Sequence, residues 1–245
     1  MNRTAWKPAE EISLLLAEAQ RMSIFSCGIC ANLSGTGGTR GLRNLSRLLK
    51  KWGKEVICKE CIIACCPLEI MKQAVGEKRK VLQQSDALVL ISCAAGVKSA
   101  FLARPGIPIV PVVDSVGSVA VASYEDDPVS RSHCTNCGHC VPVFTGGICP
   151  VNQCPAGTKY GPCSRFEEAE GGRCALDPSR ECIWREVERR GDLSKLKQLK
   201  DLHNKKGLER LPFPPRRNTP KPVRKVAGWL TAHAGWFSRF IPLID

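Results

Sequence analysis

The stretch from Cys134 to Cys182 holds eight of the chain's 15 cysteines, and their spacing suits metal chemistry. Four thiolates complete one tetrahedral zinc or iron–sulfur site, so eight thiolates satisfy two sites. The first three cysteines have the spacing CxxCxxC, which lets three thiolates surround one centre, and a proline follows the fourth. We therefore predict two [4Fe-4S] clusters, with zinc possible at one site, held by Cys134, Cys137, Cys140, Cys149, Cys154, Cys163, Cys174 and Cys182.

Disulfide bonds and zinc alone are two other interpretations of these cysteines. A disulfide framework requires an oxidising compartment, and the first residues of the chain contain no apolar stretch resembling a signal peptide. Structural zinc usually has two separated CxxC pairs, so the unbroken triplet argues against zinc at the first site but not at the second. His133 and His139 flank the triplet and are candidates for orienting the ligands, because eight cysteines already complete two sites.

Residues 1–124 alternate short apolar runs with amphipathic stretches. This pattern predicts an α/β domain with a parallel sheet and flanking helices, of the Rossmann or flavodoxin-like kind. Strands are expected at residues 23–26, 55–57, 87–92 and 107–113. Helices are expected at residues 9–22, after the glycine-rich loop 34–39, and at 67–75, 77–84 and 96–103.

The cysteines of this domain follow the predicted strands. The carboxyl ends of parallel strands lie along one edge of the sheet, so thiols that follow different strands are expected to converge there. Cys27 and Cys30 follow the first strand, Cys58 and Cys61 the second, and Cys93 the third. We predict a third metal site, a further [4Fe-4S] cluster, formed by Cys27, Cys30, Cys61 and Cys93. Three interpretations stay open: a fourth ligand from Cys58, Cys65 or Cys66, a redox dithiol at Cys27–Cys30, and ordinary buried thiols.

The composition changes twice more along the chain. Residues 125–190 are rich in Gly, Pro and Cys and predict an irregular iron–sulfur module, followed by a helical basic tail at 191–245. The formal net charge is +13, and most of it lies in residues 185–225. We expect this segment to be a solvated face or a docking site for an acidic partner rather than a nucleic-acid site.

The end of the chain combines a linker with an amphipathic segment. Residues 211–222 are Pro-rich and predict an extended linker. Residues 226–240 have apolar side chains at helical spacing, but the helix is too short to span a bilayer. Three roles of this helix stay open: it docks to a partner, to its own fold or to a membrane surface.

Several motifs resemble one family. They are Cys134-x-x-Cys137-Gly138-x-Cys140, Thr145-Gly146-Gly147-Ile148-Cys149-Pro150, Gly161-Pro162-Cys163, Gly172-x-Cys174 and Cys182-x-Trp184. In this order they resemble the C-terminal domain of bacterial methylenetetrahydrofolate reductases, which also forms the MetV-type small subunit. Upstream, Cys27-Gly28-x-Cys30, Ser92-Cys93-Ala94-Ala95-Gly96-Val97 and Val110-Pro111-Val112-Val113-Asp114 resemble the rest of that subunit.

The resemblance implies a cytoplasmic, non-catalytic subunit that carries iron–sulfur clusters in one-carbon metabolism, in the Wood–Ljungdahl pathway of anaerobes. Its implied partner is a flavin-containing large subunit that reduces methylenetetrahydrofolate, with further electron-transfer subunits possible. The residues agree with this role, because the sequence contains no obvious acid–base group or flavin fingerprint. A zinc-organised scaffold that positions the flavoprotein is the alternative, and nucleic-acid binding is not expected.

Overall fold

The computed structural model describes residues 2–118, 134–168 and 170–213, together with residues 225, 226, 229 and 233. The chain divides into two compact units, Met1–Phe213 and Pro214–Asp245. The expected boundary at residue 124 lies outside the described residues, as do most of the expected linker 211–222 and of the terminal helix 226–240. The domain limits 1–124, 125–190 and 191–245 stay predictions.

The first unit contains 17 strands and helices along the described part of the chain. Up to residue 118 they are β1 (Asn2–Trp6), α1 (Ala9–Leu15), β2 (Arg21–Cys27), α2 (Cys30–Leu33), α3 (Gly38–Lys51), β3 (Glu55–Ile62), α4 (Leu68–Glu77), α5 (Arg79–Leu82), β4 (Ala87–Ile91), α6 (Ala94–Ala103), β5 (Ile109–Pro111) and β6 (Val113–Ser118). Further on they are α7 (Pro150–Gln153), β7 (Arg173–Cys174), β8 (Asp177–Glu181), α8 (Ile183–Arg190) and α9 (Leu193–His203). Two 3-10 turns, Phe166–Glu168 and Glu170–Gly172, precede β7.

A four-stranded parallel sheet forms the centre of this unit, which confirms the predicted α/β class. Its strand order is β3-β2-β4-β5. The chain leaves β2 toward one edge and then crosses back to β4 on the other side. Right-handed crossovers therefore place α3 on one face and α4, α5 and α6 on the other, and α4 packs against α6. The strand order reverses between β2 and β4, where ligands of such sheets usually bind.

Local sequence patterns explain the central elements. All five residues of β4 are buried, as expected for a strand covered on both faces. In α3, Leu42, Leu45 and Leu49 are buried, whereas Arg43 and Arg47 are exposed, so one helical face packs on the sheet. The helix is followed by Gly53, whose φ of 75° suits a residue without a side chain.

Three predicted limits were wrong. The helix expected at 9–22 ends at Leu15, and β2 begins at Arg21. Strand β3 continues to Ile62, so Cys58 and Cys61 lie within it and do not follow it. As an edge strand, β3 pairs on one side only and tolerates the polar residues that seemed to end it. The strand expected at 107–113 is divided into β5 and β6, which belong to different sheets.

A second sheet was not predicted. Strand β1 pairs in antiparallel fashion with β6, and Trp6 lies opposite Val113. Local sequence patterns do not indicate β1, because its partner lies more than a hundred residues away. The pairing brings the start of the chain to the end of the parallel sheet, next to the segment that begins at residue 134.

The cysteine-rich region and the following helices share the core of the parallel sheet. Trp184 and Val187 of α8 and Leu196 and Leu199 of α9 are buried in the same hydrophobic cluster as β2 and β4. Among the helices that the structure describes, none has the length and apolar character needed to cross a membrane.

Candidate functional site

The carboxyl edge of the parallel sheet brings together cysteines from three segments. Cys27 is the last residue of β2, Cys30 begins α2, and Cys93 immediately precedes α6. Cys27 lies opposite Ile62 of β3, and the amide of Gly28 donates to the Ile62 carbonyl at 2.7 Å. The edge therefore gathers Cys27, Cys30 and Cys93, as the strand pattern suggested.

The thiols at this edge form two hydrogen-bonded pairs. The Cys65 thiol donates to Cys27, and this contact, with backbone amides, lowers the pKa of Cys27 to about 5. The Cys30 thiol donates to Cys93 and lowers the pKa of Cys93 to about 6. Hydrogen bonding and burial raise the pKa of each donor, Cys65 and Cys30. Within each pair, hydrogen bonding therefore favours ionisation of Cys27 or Cys93 over ionisation of its partner.

Cys65, one of the alternatives for the fourth ligand, is fully buried, and its thiol contacts that of Cys27. Cys61, which was predicted, is exposed near the end of β3. Partial burial is the main cause that raises the pKa of Cys61, followed by its neighbour Cys27. Cys58 lies in the middle of β3, and the exposed Cys66 accepts a hydrogen bond from Ser99 through its carbonyl. The sequence signal for Cys65 was weak, because it follows the strand by three residues.

A second group of cysteines surrounds a pocket beside α6. The pocket has a volume of about 650 Å³ including its open mouth, and Cys134, Cys137, Cys140 and Cys149 line it. The CxxCxxC triplet and the Cys-Pro cysteine thus face one space, a grouping that their spacing left open. Burial is the main cause that raises the pKa of Cys134 and that of Cys149.

The backbone of the triplet has one left-handed residue between each two successive cysteines. Asn136 and Gly138 have φ values of 55° and 75°, in the left-handed region. The Asn136 amide donates to the Cys134 sulfur at 3.2 Å. The Lys159 ammonium lies 3.6 Å from the Cys137 sulfur.

Buried charged side chains contact the loop that carries the CxxCxxC triplet. Lys7 is fully buried and donates to Glu11 at 2.5 Å, to Asp114 at 2.7 Å and to the Cys140 carbonyl at 3.1 Å. Asp114 in turn accepts from the Cys140 amide at 2.8 Å. Burial alone would lower the pKa of Lys7, but the two carboxylates outweigh it and raise that pKa. Both peptide groups of Cys140 are therefore fixed by charged partners.

Arg210 completes the support of the loop. Its guanidinium donates to Asp114 at 3.0 Å and to the Gly138 carbonyl at 2.7 Å. Burial would raise the pKa of Asp114, but Lys7, the Cys140 amide and Arg210 lower it. Sequence reasoning missed Lys7 and Arg210, since isolated basic residues in a chain with 36 Lys and Arg carry no signal.

A line of polar side chains extends from the buried charges toward the surface. The His203 ring lies 3.1 Å from the Glu11 carboxylate, and Tyr160 contacts the other ring nitrogen of His203 at 2.7 Å. His139, predicted to orient ligands, is exposed, and its ring centroid lies 4.9 Å from that of His203. His133 lies outside the described residues.

The remaining predicted ligands lie around the β7–β8 hairpin and α8. Cys174 ends β7, Cys182 precedes α8, and both are buried. The Cys154 sulfur lies 3.6 Å from the Thr158 hydroxyl, which accepts from the Trp184 indole at 2.9 Å. Cys163 precedes the Phe166–Glu168 turn and is half-buried. Among the described residues, no thiol–thiol contact joins these four cysteines.

The candidate ligands at the sheet edge and around the pocket are thiol sulfurs. Within the described parts of the chain, no three His, Cys, Asp or Glu side chains are arranged as a cage for a metal ion. The sulfur donors at the sheet edge and around the pocket suit iron–sulfur clusters and zinc, because thiolates are soft ligands. The two low thiol pKa values at the sheet edge fit the same chemistry. In donor type, although not in a preformed arrangement within the described residues, these thiols fit a thiolate-bound centre.

The fold and site define a class of protein: an α/β domain with a thiol-lined sheet edge, packed against a cysteine-rich segment. Residues 114–209, less than half of the chain, match the family model described as "Methylene-tetrahydrofolate reductase C terminal". This segment is therefore related to methylenetetrahydrofolate reductase C-terminal domains, and it contains all eight cysteines from Cys134 to Cys182. No curated protein and no solved structure matches the chain.

Proposed function

We propose that this chain is an iron–sulfur electron-transfer subunit of a methylenetetrahydrofolate reductase complex. One observation carries the proposal: Cys134, Cys137, Cys140 and Cys149 line one pocket within the segment related to that reductase. When bound, an iron–sulfur cluster supplies one-electron transfer at a potential that its surroundings set. The proposal thus assigns the chain a carrier role.

The proposed ligands fall into three sets. Cys134, Cys137, Cys140 and Cys149 hold one [4Fe-4S] cluster, with the ligand set suggested by the shared pocket. The other four cysteines of the segment hold a second cluster or a zinc ion. The sheet-edge thiols hold a third cluster. The second set rests on the cysteine count and spacing, and the third rests on the convergence of Cys27, Cys30 and Cys93 at the sheet edge.

The protein's own residues position these ligands. Lys7 and Asp114 bind the two peptide groups of Cys140, and Arg210 binds the Gly138 carbonyl. These contacts fix the direction in which the loop presents its thiols. Lys159 places a positive charge 3.6 Å from the Cys137 sulfur.

The proposed partner is a flavin-containing large subunit that reduces methylenetetrahydrofolate. Reduction of the folate carbon requires a hydride equivalent, and a flavin exchanges single electrons for hydride equivalents. Further electron-transfer subunits would deliver the electrons. All 15 cysteines are free thiols, which supports the proposal of a reducing compartment such as the cytoplasm.

Metal analysis of the anaerobically purified full-length chain tests the proposal. We expect brown protein with about eight or more irons per chain, and matching sulfide, if two or three four-iron clusters form. Zinc without iron would contradict electron transfer and would point to a zinc-organised scaffold. Cys137→Ser should lower the iron content, whereas Cys58→Ser, on the edge strand β3, should leave it unchanged.

Association with the partner requires a separate experiment. The chain is co-expressed with a flavin-containing methylenetetrahydrofolate reductase subunit, and one of the two carries an affinity tag. We expect the pair to co-purify anaerobically and the flavin to be reduced when electrons enter through this chain. A stable pair whose flavin accepts no electrons from the chain would rule out the carrier role.

A further inference from the structure

We infer that Cys65, together with Cys27, Cys30 and Cys93, completes a four-thiolate metal site at the carboxyl edge of the sheet, and that Ser115 joins this site to the Cys134 pocket. This assignment rests on the proposed function for the kind of centre bound. It differs from the strand-end prediction by exchanging Cys61 for Cys65. It also specifies which neighbouring site exchanges electrons with it.

The position of Cys65 is the first argument. Its side chain is fully buried, and its thiol contacts that of Cys27. It also lies against the start of α6: a side chain at Gly96 would bring a Cβ within 2.6 Å of the Cys65 Cβ. The glycine therefore permits the close approach of the Cys65 loop to the helix that Cys93 precedes.

The pairing of the four thiols is the second argument. Cys27 contacts Cys65, and Cys30 contacts Cys93, so two thiol pairs lie at the point where the strand order reverses. Cys27 and Cys93, one from each pair, end or follow the adjacent strands β2 and β4. Cys61, in contrast, is exposed on the edge strand and contacts none of these thiols through a hydrogen bond within the described residues.

The connection to the pocket is the third argument. Ala94, which follows Cys93, lines the same pocket as Cys134. The Ala94 amide donates to the Ser115 hydroxyl at 2.9 Å, and that hydroxyl also contacts the Cys134 thiol. Ser115 is buried. Only the Cys93–Ala94 peptide bond and the Ser115 hydroxyl thus lie between Cys93 of the sheet-edge site and Cys134 of the pocket. This connection makes a short route for electrons.

The test uses the full-length chain purified anaerobically, with Cys65→Ser compared with the matched control Cys61→Ser. We expect Cys65→Ser to lose about four irons and four sulfides per chain, one cluster, and Cys61→Ser to keep the wild-type content. Circular dichroism checks that both variants fold. If Cys65→Ser does not fold, Cys30→Ser, at a half-buried position, should show the same loss. Full metal content in a folded Cys65→Ser, or loss in Cys61→Ser alone, overturns the assignment.

Low-temperature EPR of the reduced protein tests the proximity of the two sites. We expect magnetic interaction between two neighbouring clusters in the wild type, and its disappearance in Cys65→Ser while the signal of the remaining clusters stays. A wild-type spectrum of non-interacting clusters overturns the connection through Ser115. Wild-type protein without iron contradicts the proposed function instead. In that case, loss of one zinc ion from Cys65→Ser but not from Cys61→Ser still supports the four-thiolate site.

Discussion

The ammonium group of Lys7 donates a hydrogen bond of 3.1 Å to the carbonyl of Cys140, although 133 residues separate the two in the chain. Lys7 stands just after β1, and Cys140 ends the CxxCxxC triplet. The β1–β6 pairing makes the contact possible, since it also places Asp114 beside both residues. The cysteine-rich loop is therefore anchored to the first residues of the α/β domain.

Replacement of Lys7 tests this anchor. Lys7→Met leaves the buried carboxylates of Glu11 and Asp114 without their shared cation, so the free energy of unfolding should fall by about 3–5 kcal/mol. Lys72→Met removes an exposed pair with Glu69 and should change it by less than about 1 kcal/mol. Urea unfolding under anaerobic conditions measures both. Equal urea midpoints for the two variants would show that the buried ion pairs of Lys7 do not stabilise the fold.

Glycine replacements test the close packing around Cys65. In Gly96→Ala, the new Cβ would lie 2.1 Å from the Ser92 hydroxyl and 2.6 Å from the Cys65 Cβ. We expect a loss of about 1–3 kcal/mol, because neighbouring side chains must move. The control is Gly76→Ala in α4, where the new Cβ meets nothing within 4 Å. That change should be neutral or stabilising by up to about 1 kcal/mol. Thermal unfolding of both variants distinguishes a packing effect from a general glycine effect.

Replacement of Trp184 tests the packing of the region that contains Cys154 and Cys182. Its side chain is almost fully buried, and its indole donates to Thr158. Trp184→Ala should cost about 3–5 kcal/mol because it leaves a large cavity. Trp184→Phe keeps most of the packing and should cost less. Leu176→Ala, at a side chain that is 44% exposed, should change stability by about 0.5 kcal/mol or less, measured by denaturant unfolding.

The carboxylate of Asp86 is expected to make a pH-dependent contribution to stability. Its carboxylate accepts from the amides of Gln20 and Arg21 at 2.8 and 2.7 Å, and these hydrogen bonds lower its pKa. A carboxyl group whose pKa is lower in the folded state stabilises the fold above its ordinary pKa of 3.8. This stabilisation is lost as the pH falls through the folded-state pKa.

The pH dependence can be measured with Asp86→Ala. Its melting temperature should be lower than that of the wild type at pH 7, and the difference should shrink steadily below about pH 4. Asp201→Ala, at an exposed position of α9, serves as the control and should follow the wild type at every pH. A difference that persists unchanged at low pH would assign the effect to lost packing instead of to the ionised carboxylate.

Local patterns predicted the central elements of the fold. The leucines of α3 recur at helical spacing, and β4 is a continuous apolar run, so each element could be recognised without its neighbours. Strand β3 was predicted too short because Cys58, Lys59 and Glu60 interrupt its apolar residues. An edge strand tolerates such residues, but its place at the edge is a property of the whole sheet.

Cysteine type and spacing, which are local, indicated that the CxxCxxC triplet can surround one centre, but they left open which other cysteine joins it; the shared pocket brings Cys149 to the triplet. They did not single out Cys65 over Cys61, because the burial of Cys65 and the place of Cys61 within the edge strand β3 are properties of the folded chain. Nor could they reveal Lys7 and Arg210 beneath the loop. Only the tertiary structure decided these contacts, because the chain must close over more than a hundred residues before buried charges and thiols from separate strands meet.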